Sequence, residues 1–513
     1  MLGYVYQVLV MLTGLWLTPF FLRHLGQHDY GLWLTGLQIM SYLMLADFGI
    51  LALLPRTVAY ATGRAGDSDK ATDLPGLIGR SAIIVLLQTP FVALAASIVW
   101  LWLPGDWNAL RGPIGWLLTA FTVLFPARIA RAILDGLQEQ SYVARANTVA
   151  WAASLLCNIV LVKSGFGLYA LSAGWVLYQT VLTGACTYRL RTRYRHVFPS
   201  GLPRLRWAEG AQELGRGFWV SLSQIGQVLM NGTDLLIISK ALGPSMVVPY
   251  ACTGKLASVL TNQPQMVMQV AIPGLSEMRA GAPKDRLRTV SLALSQAVLL
   301  LTGLLATILV VVNEGFVHWW VGSDRYAGFT LTGMILASMM LRQWNMTFIY
   351  TLFCFGYERR LTVISLLDAL VSAGVMFLAA PILGYRGVAA GSIAGACLVS
   401  LPINMITLAR EFDVSLIKLV LPFWPWAWRF ALIFSASTVA ASMWTPRSVV
   451  EIIAAGLVAG GTYSLVLLPA IMKSALGPYL HRFIGKPLAR IFRIGTVEIG
   501  RSEIDPTATK TGF

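Results

Sequence analysis

Apolar stretches about 20 residues long recur along nearly the whole chain, and no other feature limits its fold so strongly. In lipid every backbone amide must be bonded within the chain, so such a stretch is read as a spanning α-helix. About fourteen segments qualify. They run Leu2 to Leu22, Tyr30 to Leu54, Leu77 to Leu103, Ile114 to Ile133, Tyr142 to Val162, Leu168 to Tyr188, Phe218 to Ile238, Val247 to Ile272, Val290 to Val312, Phe329 to Phe355, Leu361 to Ile382, Val388 to Leu408, Trp426 to Met443 and Val449 to Met472. Charged residues make up only 12% of the 513, half the share usual in a soluble domain, which excludes an ordinary soluble enzyme. The expected fold class is all-α and polytopic. The first segment has no basic lead-in and no small-residue cleavage site, so it is expected to stay as a helix.

In a soluble chain a net charge of +16 would point to nucleic acid. The positions of the charges point elsewhere. With a cytoplasmic N-terminus, the loops on the far face hold seven of the 39 basic residues: Arg23, Arg111, Lys163, Lys240, Arg325, Arg386 and Arg447. Four more, Arg56, Lys255, Arg342 and Arg429, fall within spans, and all the rest are assigned to the cytoplasmic loops and tail. This is the positive-inside pattern, implying an even helix count, two cytoplasmic termini and no nucleic-acid partner. Cys157, Cys186, Cys252, Cys354 and Cys397 lie in apolar stretches without metal-ligand spacing, so neither disulfide nor metal is expected. No nucleotide fingerprint is present, and neither a cofactor nor an enzymatic activity is expected.

Self-comparison at an offset of 220 aligns Gln7 with Gln227, Tyr30 with Tyr250, Gly136 with Gly356, and Gly167, Ala170 and Ser172 with Gly387, Ala390 and Ser392. Leu25-Gly26 and Leu242-Gly243 recur at 217. The expectation is two parallel six-helix bundles, residues 1–190 and 217–410, joined by a basic linker at 191–216 and followed by helices 13 and 14 in 411–472. An even number of helices per repeat relates the halves by an axis along the membrane normal, with substrate in a central cavity between them. In the tail, 473–513, Leu480, Phe483, Ile484, Leu488, Ile491 and Phe492 oppose Arg482, Lys486, Arg490 and Arg493. That pattern reads either as a basic helix on the anionic inner leaflet or, because Pro487 interrupts it, as a solvated tail; the last residues read as disordered.

The segment FFLRHLGQHDYGLWLTGLQIMSYLMLADFGI carries an R-x-L-G-x-x-x-Y-G-L turn (Arg23, Leu25, Gly26, Tyr30, Gly31) and a D-x-G element (Asp47, Gly49). It resembles the first hairpin of polysaccharide transporters in the multidrug/oligosaccharidyl-lipid/polysaccharide exporter superfamily. The chain departs from the family in starting almost directly in helix 1. The resemblance implies a V-shaped cavity lined by helices 1, 2, 7 and 8, and flipping of a lipid-linked oligosaccharide across the bacterial cytoplasmic membrane beside polysaccharide polymerase and export machinery. Two other readings compete. A cation-coupled multidrug exporter of the same superfamily usually has twelve helices, and a membrane polysaccharide polymerase or ligase carries a sizeable outward catalytic loop that is lacking here.

Ionisable groups inside spans are costly and are candidate functional groups. They are Asp47 and Arg56 in helix 2, Asp234 in helix 7, Lys255 in helix 8, Arg342 in helix 10, Asp368 in helix 11, Arg429 in helix 13 and Glu451 at the start of helix 14. A diphosphate needs cationic partners in a watery groove, so Arg56, Lys255 and Arg342 are the candidate substrate-binding residues. Asp47 and Asp234 are the candidates for exchanging a coupling proton or sodium ion. Structural readings stand beside these: Asp47 as a local cap, Arg56 snorkelling, Asp234 pairing with Lys255, Arg342 with Asp368, and Arg429 and Glu451 at the interface.

Overall fold

The computed structural model describes residues 2–63, 74–197 and 207–472. The amphipathic tail and much of the basic linker lie outside them. Every apolar segment expected from the sequence falls on helix, and no strand occurs among the described residues.

Spans 1 and 2 form one run, Leu2–Leu43, interrupted at Gly26 (φ 81°, ψ 170°). Span 2 continues through a 3-10 turn, Met44–Asp47, into Ile50–Gly63. Span 3 is Leu74–Leu101, and span 4 is Asn108–Leu124 followed, after a 58° bend, by Ile129–Gly136. Spans 5 to 7 are Gln140–Lys163, Leu168–Arg193 and Trp207–Ala241. Span 8 is broken into Val247–Thr253, Lys255–Leu260 and Asn262–Gly281. Spans 9 to 11 are Lys284–Val321, Phe329–Cys354 and Glu358–Leu383. Span 12 runs from Tyr385–Gly395 through a π-helical turn, Ala396–Ser400, to Leu401–Glu411. Spans 13 and 14 are Trp424–Met443 and Val449–Met472. Judged by length and apolarity alone, eight helices among the described residues suffice to cross a membrane, spans 1 and 2 counting as one, or nine with the bent pair. Spans 6, 7, 8 and 10 do not meet that measure. Polar side chains are tolerated in a span that faces protein or water, and span 10 buries Gln343, Asn345, Thr347 and Thr351.

The apolar core is continuous at one face and divided at the other. Near Gly26 one cluster contains Phe21, Tyr30, Leu110 and Leu117 of the first half together with Val248, Cys252, Val317 and Val321 of the second. Towards the opposite face it separates into one core of first-half residues (Leu54, Val58, Ile133, Leu182) and one of second-half residues (Met268, Leu275, Phe348, Leu408). Two bodies that share a core at one end and have separate cores at the other form a V. Spans 13 and 14 pack on span 9, where Tyr463 accepts a hydrogen bond from Trp426 (3.2 Å) and donates one to the Leu300 carbonyl (2.8 Å).

The backbone corrects the register of the repeat. Gly26 (φ 81°) corresponds to Gly243 (φ 100°), and Gly167 (φ 55°, ψ −135°) to Gly384 (φ 59°, ψ −135°), both at an offset of 217. Gln138 (φ 59°) corresponds to Gly356 (φ 85°) at 218, not Gly136 to Gly356 at 220. Small residues recur every three or four positions along packed helices, so they match at neighbouring offsets by chance. Left-handed turn residues do not.

Candidate functional site

The family turn builds the closed end of the V. Gly26 reverses the chain, and Arg23 is exposed beside it. Tyr30 is buried with its hydroxyl 3.4 Å from Thr18. Gly31 sits so close to the Pro244 carbonyl of the second half that no side chain would fit. Gln27 Nε2 donates to the Ser245 carbonyl (2.8 Å) and Trp320 Nε1 to the Leu15 carbonyl (2.6 Å). Deeper, Tyr42 and Thr233 join spans 2 and 7 by a 2.7 Å hydroxyl contact.

Lys255 lies directly below this seam. Cys252 is part of the shared core, and Lys255 follows three residues later, roughly 4.5 Å along the axis, just past the break at Gly254. Further down, Leu12 and Trp16 of span 1 and Met266 and Val270 of span 8 are exposed. Arg56 stands at the divided end, exposed, its guanidinium 3.4 Å from the Tyr60 hydroxyl and 5.5 Å from that ring's centre. Glu358 of span 11 acts on it only at longer range, which places Arg56 towards the second half. Among the described residues, neither Lys255 nor Arg56 is in an ion pair.

The other candidates do not converge on these two. Asp234 does not pair with Lys255. Its carboxylate accepts hydrogen bonds from the Leu235 amide (2.9 Å) and the Tyr250 hydroxyl. Tyr250 is five residues before Lys255, about 140° around the helix, so the side of span 8 that meets Asp234 is not the one that carries the ammonium. Arg342 is bound within the second half: Nη2 lies 3.5 Å from Asp368, 3.3 Å from Ser372 Oγ and 3.0 Å from the Ser392 carbonyl, and Nε donates to Ser392 Oγ at 2.8 Å. Ser372 and Ser400 also donate to Asp368, the latter from the π-helical turn. The Arg342–Asp368 pair read from the sequence is thus present. Asp47 accepts from the Gly49 amide (3.0 Å) across the break in span 2, as the capping reading expects. Arg429 bonds the Pro425 carbonyl and lies over Trp428, while Glu451 accepts from the Arg447 amide at the head of span 14.

Two groups escaped the sequence reading. Arg128, counted there with the cytoplasmic basic residues although it falls inside the segment Ile114 to Ile133, sits at the bend within span 4, stacked 5.3 Å from Phe121 and 5.7 Å from Phe125. Pro126 was its only signal. Beside span 13, Leu416, Ile417, Phe423, Trp424, Trp426 and Trp344 line an apolar groove of about 390 Å³, which no charge marks.

Comparison with known proteins bears out the family resemblance. A family model described as "Polysaccharide biosynthesis protein" matches residues 114–327. Among solved structures, the lipid II flippase MurJ in its inward closed conformation is 12% identical with a TM-score of 0.62, covering 92% of this chain and 99% of that one. An inward-facing multidrug resistance MATE family transporter of the MOP superfamily is 16% identical with a TM-score of 0.52, covering 77% and 95%. A MOP superfamily transporter from Pyrococcus furiosus is 14% identical with a TM-score of 0.51, covering 81% and 94%. No curated protein matches the sequence. At these identities the structures show the fold alone, an all-α fold shared with MurJ and with MATE family transporters.

Proposed function

We propose that this chain, sharing the fold of the exporter superfamily and matching a polysaccharide biosynthesis family over residues 114–327, flips a lipid-linked oligosaccharide diphosphate across the bacterial cytoplasmic membrane. The observation that carries this reading is a pair of cations without an ion-pair partner among the described residues. Lys255 below the seam and Arg56 at the divided end have no carboxylate partner there, so both are available to a diphosphate. Arg56 recruits the headgroup at the cytoplasmic side and Lys255 receives it at the apex. The groove beside span 13 has the apolar lining that a hydrocarbon chain requires.

In this proposal residues 1–190 and 217–410 rock against one another, the linker 191–216 spans them, and 411–472 travels with the second body. In the same reading both termini are cytoplasmic. Asp234, hydrogen-bonded to Tyr250 beside the seam, is the group for proton or sodium exchange. Arg342 serves the headgroup only if its bonds to Asp368 open. A polysaccharide polymerase or export complex takes the product.

The multidrug reading draws support from the shared fold. The charges favour the flippase, since unpaired cations on the cavity walls repel a cationic drug. Export of surface glycan separates the readings. Lys255→Ala and Arg56→Ala should each leave lipid-linked repeat units on the inner leaflet at normal protein level. Normal surface glycan in both variants, with drug hypersensitivity on gene disruption, refutes the flippase.

A further inference from the structure

Three features of the first half meet around Asp47 without a common explanation. Phe48 is a bulky residue in the left-handed region (φ 48°) and half-exposed, followed by Gly49 at φ 72°. An L-residue with a large side chain adopts that conformation only against a steric cost. Next to it, Gln88 of span 3 donates through Nε2 to the Asp47 carbonyl (3.2 Å), and its Oε1 is buried without a partner. Span 3 also packs on the bend of span 4, where Nη1 of Arg128 is likewise buried and unpartnered. Asp47 and Arg128 act on one another electrostatically but do not form an ion pair. A strained residue, an orphan acceptor, an orphan donor and a cation short of its carboxylate all lie at the breaks of two neighbouring spans.

A second arrangement of span 2 relieves the strained residue and gives Arg128 its carboxylate. If Phe48 and Gly49 both move to right-handed helical angles, Met44–Asp47 and Ile50–Gly63 become one helix and the Gly49 amide joins its hydrogen-bond ladder. The Asp47 carboxylate, released from that amide, then accepts from Arg128 Nη1. We propose that Asp47 and Arg128 form the hinge switch of span 2. In the bent state Asp47 caps Gly49, as here. In the straight state it pairs with Arg128, and the lower half of span 2 swings across the divided end to close it. Arg128 is thus a positioning residue for transport, acting through Asp47. This rests on the alternating-access reading, but not on the identity of the substrate.

The test reads conformation directly. Spin labels replace His28 and Ser245 at the closed end, in the full-length chain with its five native cysteines substituted. Distance distributions in lipid nanodiscs then give the fraction in which that end is open. Asp47→Asn keeps an oxygen for the Gly49 amide but cannot form the ion pair, and Arg128→Gln removes the other partner. Each should lower the open fraction roughly fivefold or more, and the double variant should go no further than either single one. Phe48→Gly, which relieves the bent state, should act in the same direction by about five- to thirtyfold. Should Arg128→Gln not reach the membrane, Asp47→Asn and Phe48→Gly decide the matter. Unchanged distributions in those two, or additive effects of Asp47→Asn and Arg128→Gln, overturn the switch. Because no substrate enters the measurement, a failed flippase assignment leaves it intact. A failed switch likewise leaves the roles of Lys255 and Arg56 untouched.

Discussion

Tyr357 donates a 2.7 Å hydrogen bond to Glu411, tying the head of span 11 to the foot of span 12. In the first half Tyr194 donates a 2.6 Å bond to Glu139 at the corresponding place. Glu139 and Tyr357 are related by an offset of 218, Tyr194 and Glu411 by 217, so the repeat keeps the bond while exchanging its two ends. Each carboxylate also takes a guanidinium, Arg189 on Glu139 (3.1 Å) and Arg279 on Glu411. Arg279 lies at the foot of span 8, so only the second clasp holds a cavity-lining helix.

The first clasp makes stability depend on acid. The hydrogen bond from Tyr194, and after it the Arg189 guanidinium, hold the Glu139 carboxyl below its ordinary range. A carboxyl lowered in the folded state stabilises fully above its unfolded pKa and loses that contribution as pH falls through the folded one. The melting temperature of purified protein should therefore fall as pH drops below about 4.5. Tyr194→Phe should lower stability at neutral pH by about 1 kcal/mol and weaken the acid-dependent fall. Differential scanning fluorimetry between acid and neutral pH checks both.

Breaking the buried pair of the second half should be severe. Asp368→Asn leaves the Arg342 guanidinium without its carboxylate, at an expected cost of roughly 3–5 kcal/mol. Gly395→Ala should resemble it, because a β-carbon there overlaps both Ser372 Oγ and Asp368 Oδ1. Detergent-extracted folded protein, measured by size-exclusion profile, should drop sharply for both. Normal yields would mean that the network contributes little.

Gly31→Ala should act on the seam and leave each half folded. Its β-carbon would overlap the Pro244 carbonyl, which is backbone and cannot move aside locally. The closed end should open, so a cysteine at Val248, buried in the shared core, gains reactivity towards a membrane-impermeant maleimide by about fivefold or more. Unaltered labelling would show that the seam is looser than these contacts imply.

Lys255 offers a separation of structure from function. It has no protein partner among the described residues, so Lys255→Met should shift stability by no more than about 0.5 kcal/mol. In the proposed reaction the same change should cut transport about tenfold, with Lys255→Arg recovering much of it. A large loss of thermal stability in Lys255→Met would assign the side chain a structural role instead.

Hydrophobic length made the helices legible in the sequence, and the first hairpin pointed to the fold that the solved structures share. Arg342 and Asp368 were readable as a pair because complementary charges on consecutive spans rarely remain apart in a low dielectric. What the sequence concealed were choices of direction. Whether Lys255 or Tyr250 meets Asp234 depends on helix phase across the break at Gly254, and the chain does not announce the angle of a break. Arg128 was hidden because its segment ran past the bend at Pro126. The Tyr–Glu clasps were invisible for another reason: a comparison that scores identities finds nothing where two residues have traded places.

Spans 13 and 14 are carried on span 9, held by Tyr463 against Leu300, by Pro446 against Gly315, and by Gly460 against Leu304 and Ile308. These contacts make the pair a handle fixed to one of two hinged arms. A force applied to the end of span 14, by a docked protein or by the membrane itself, would turn the second arm while the first stayed still. A hold on that handle would stall the rocking motion without anything entering the cavity.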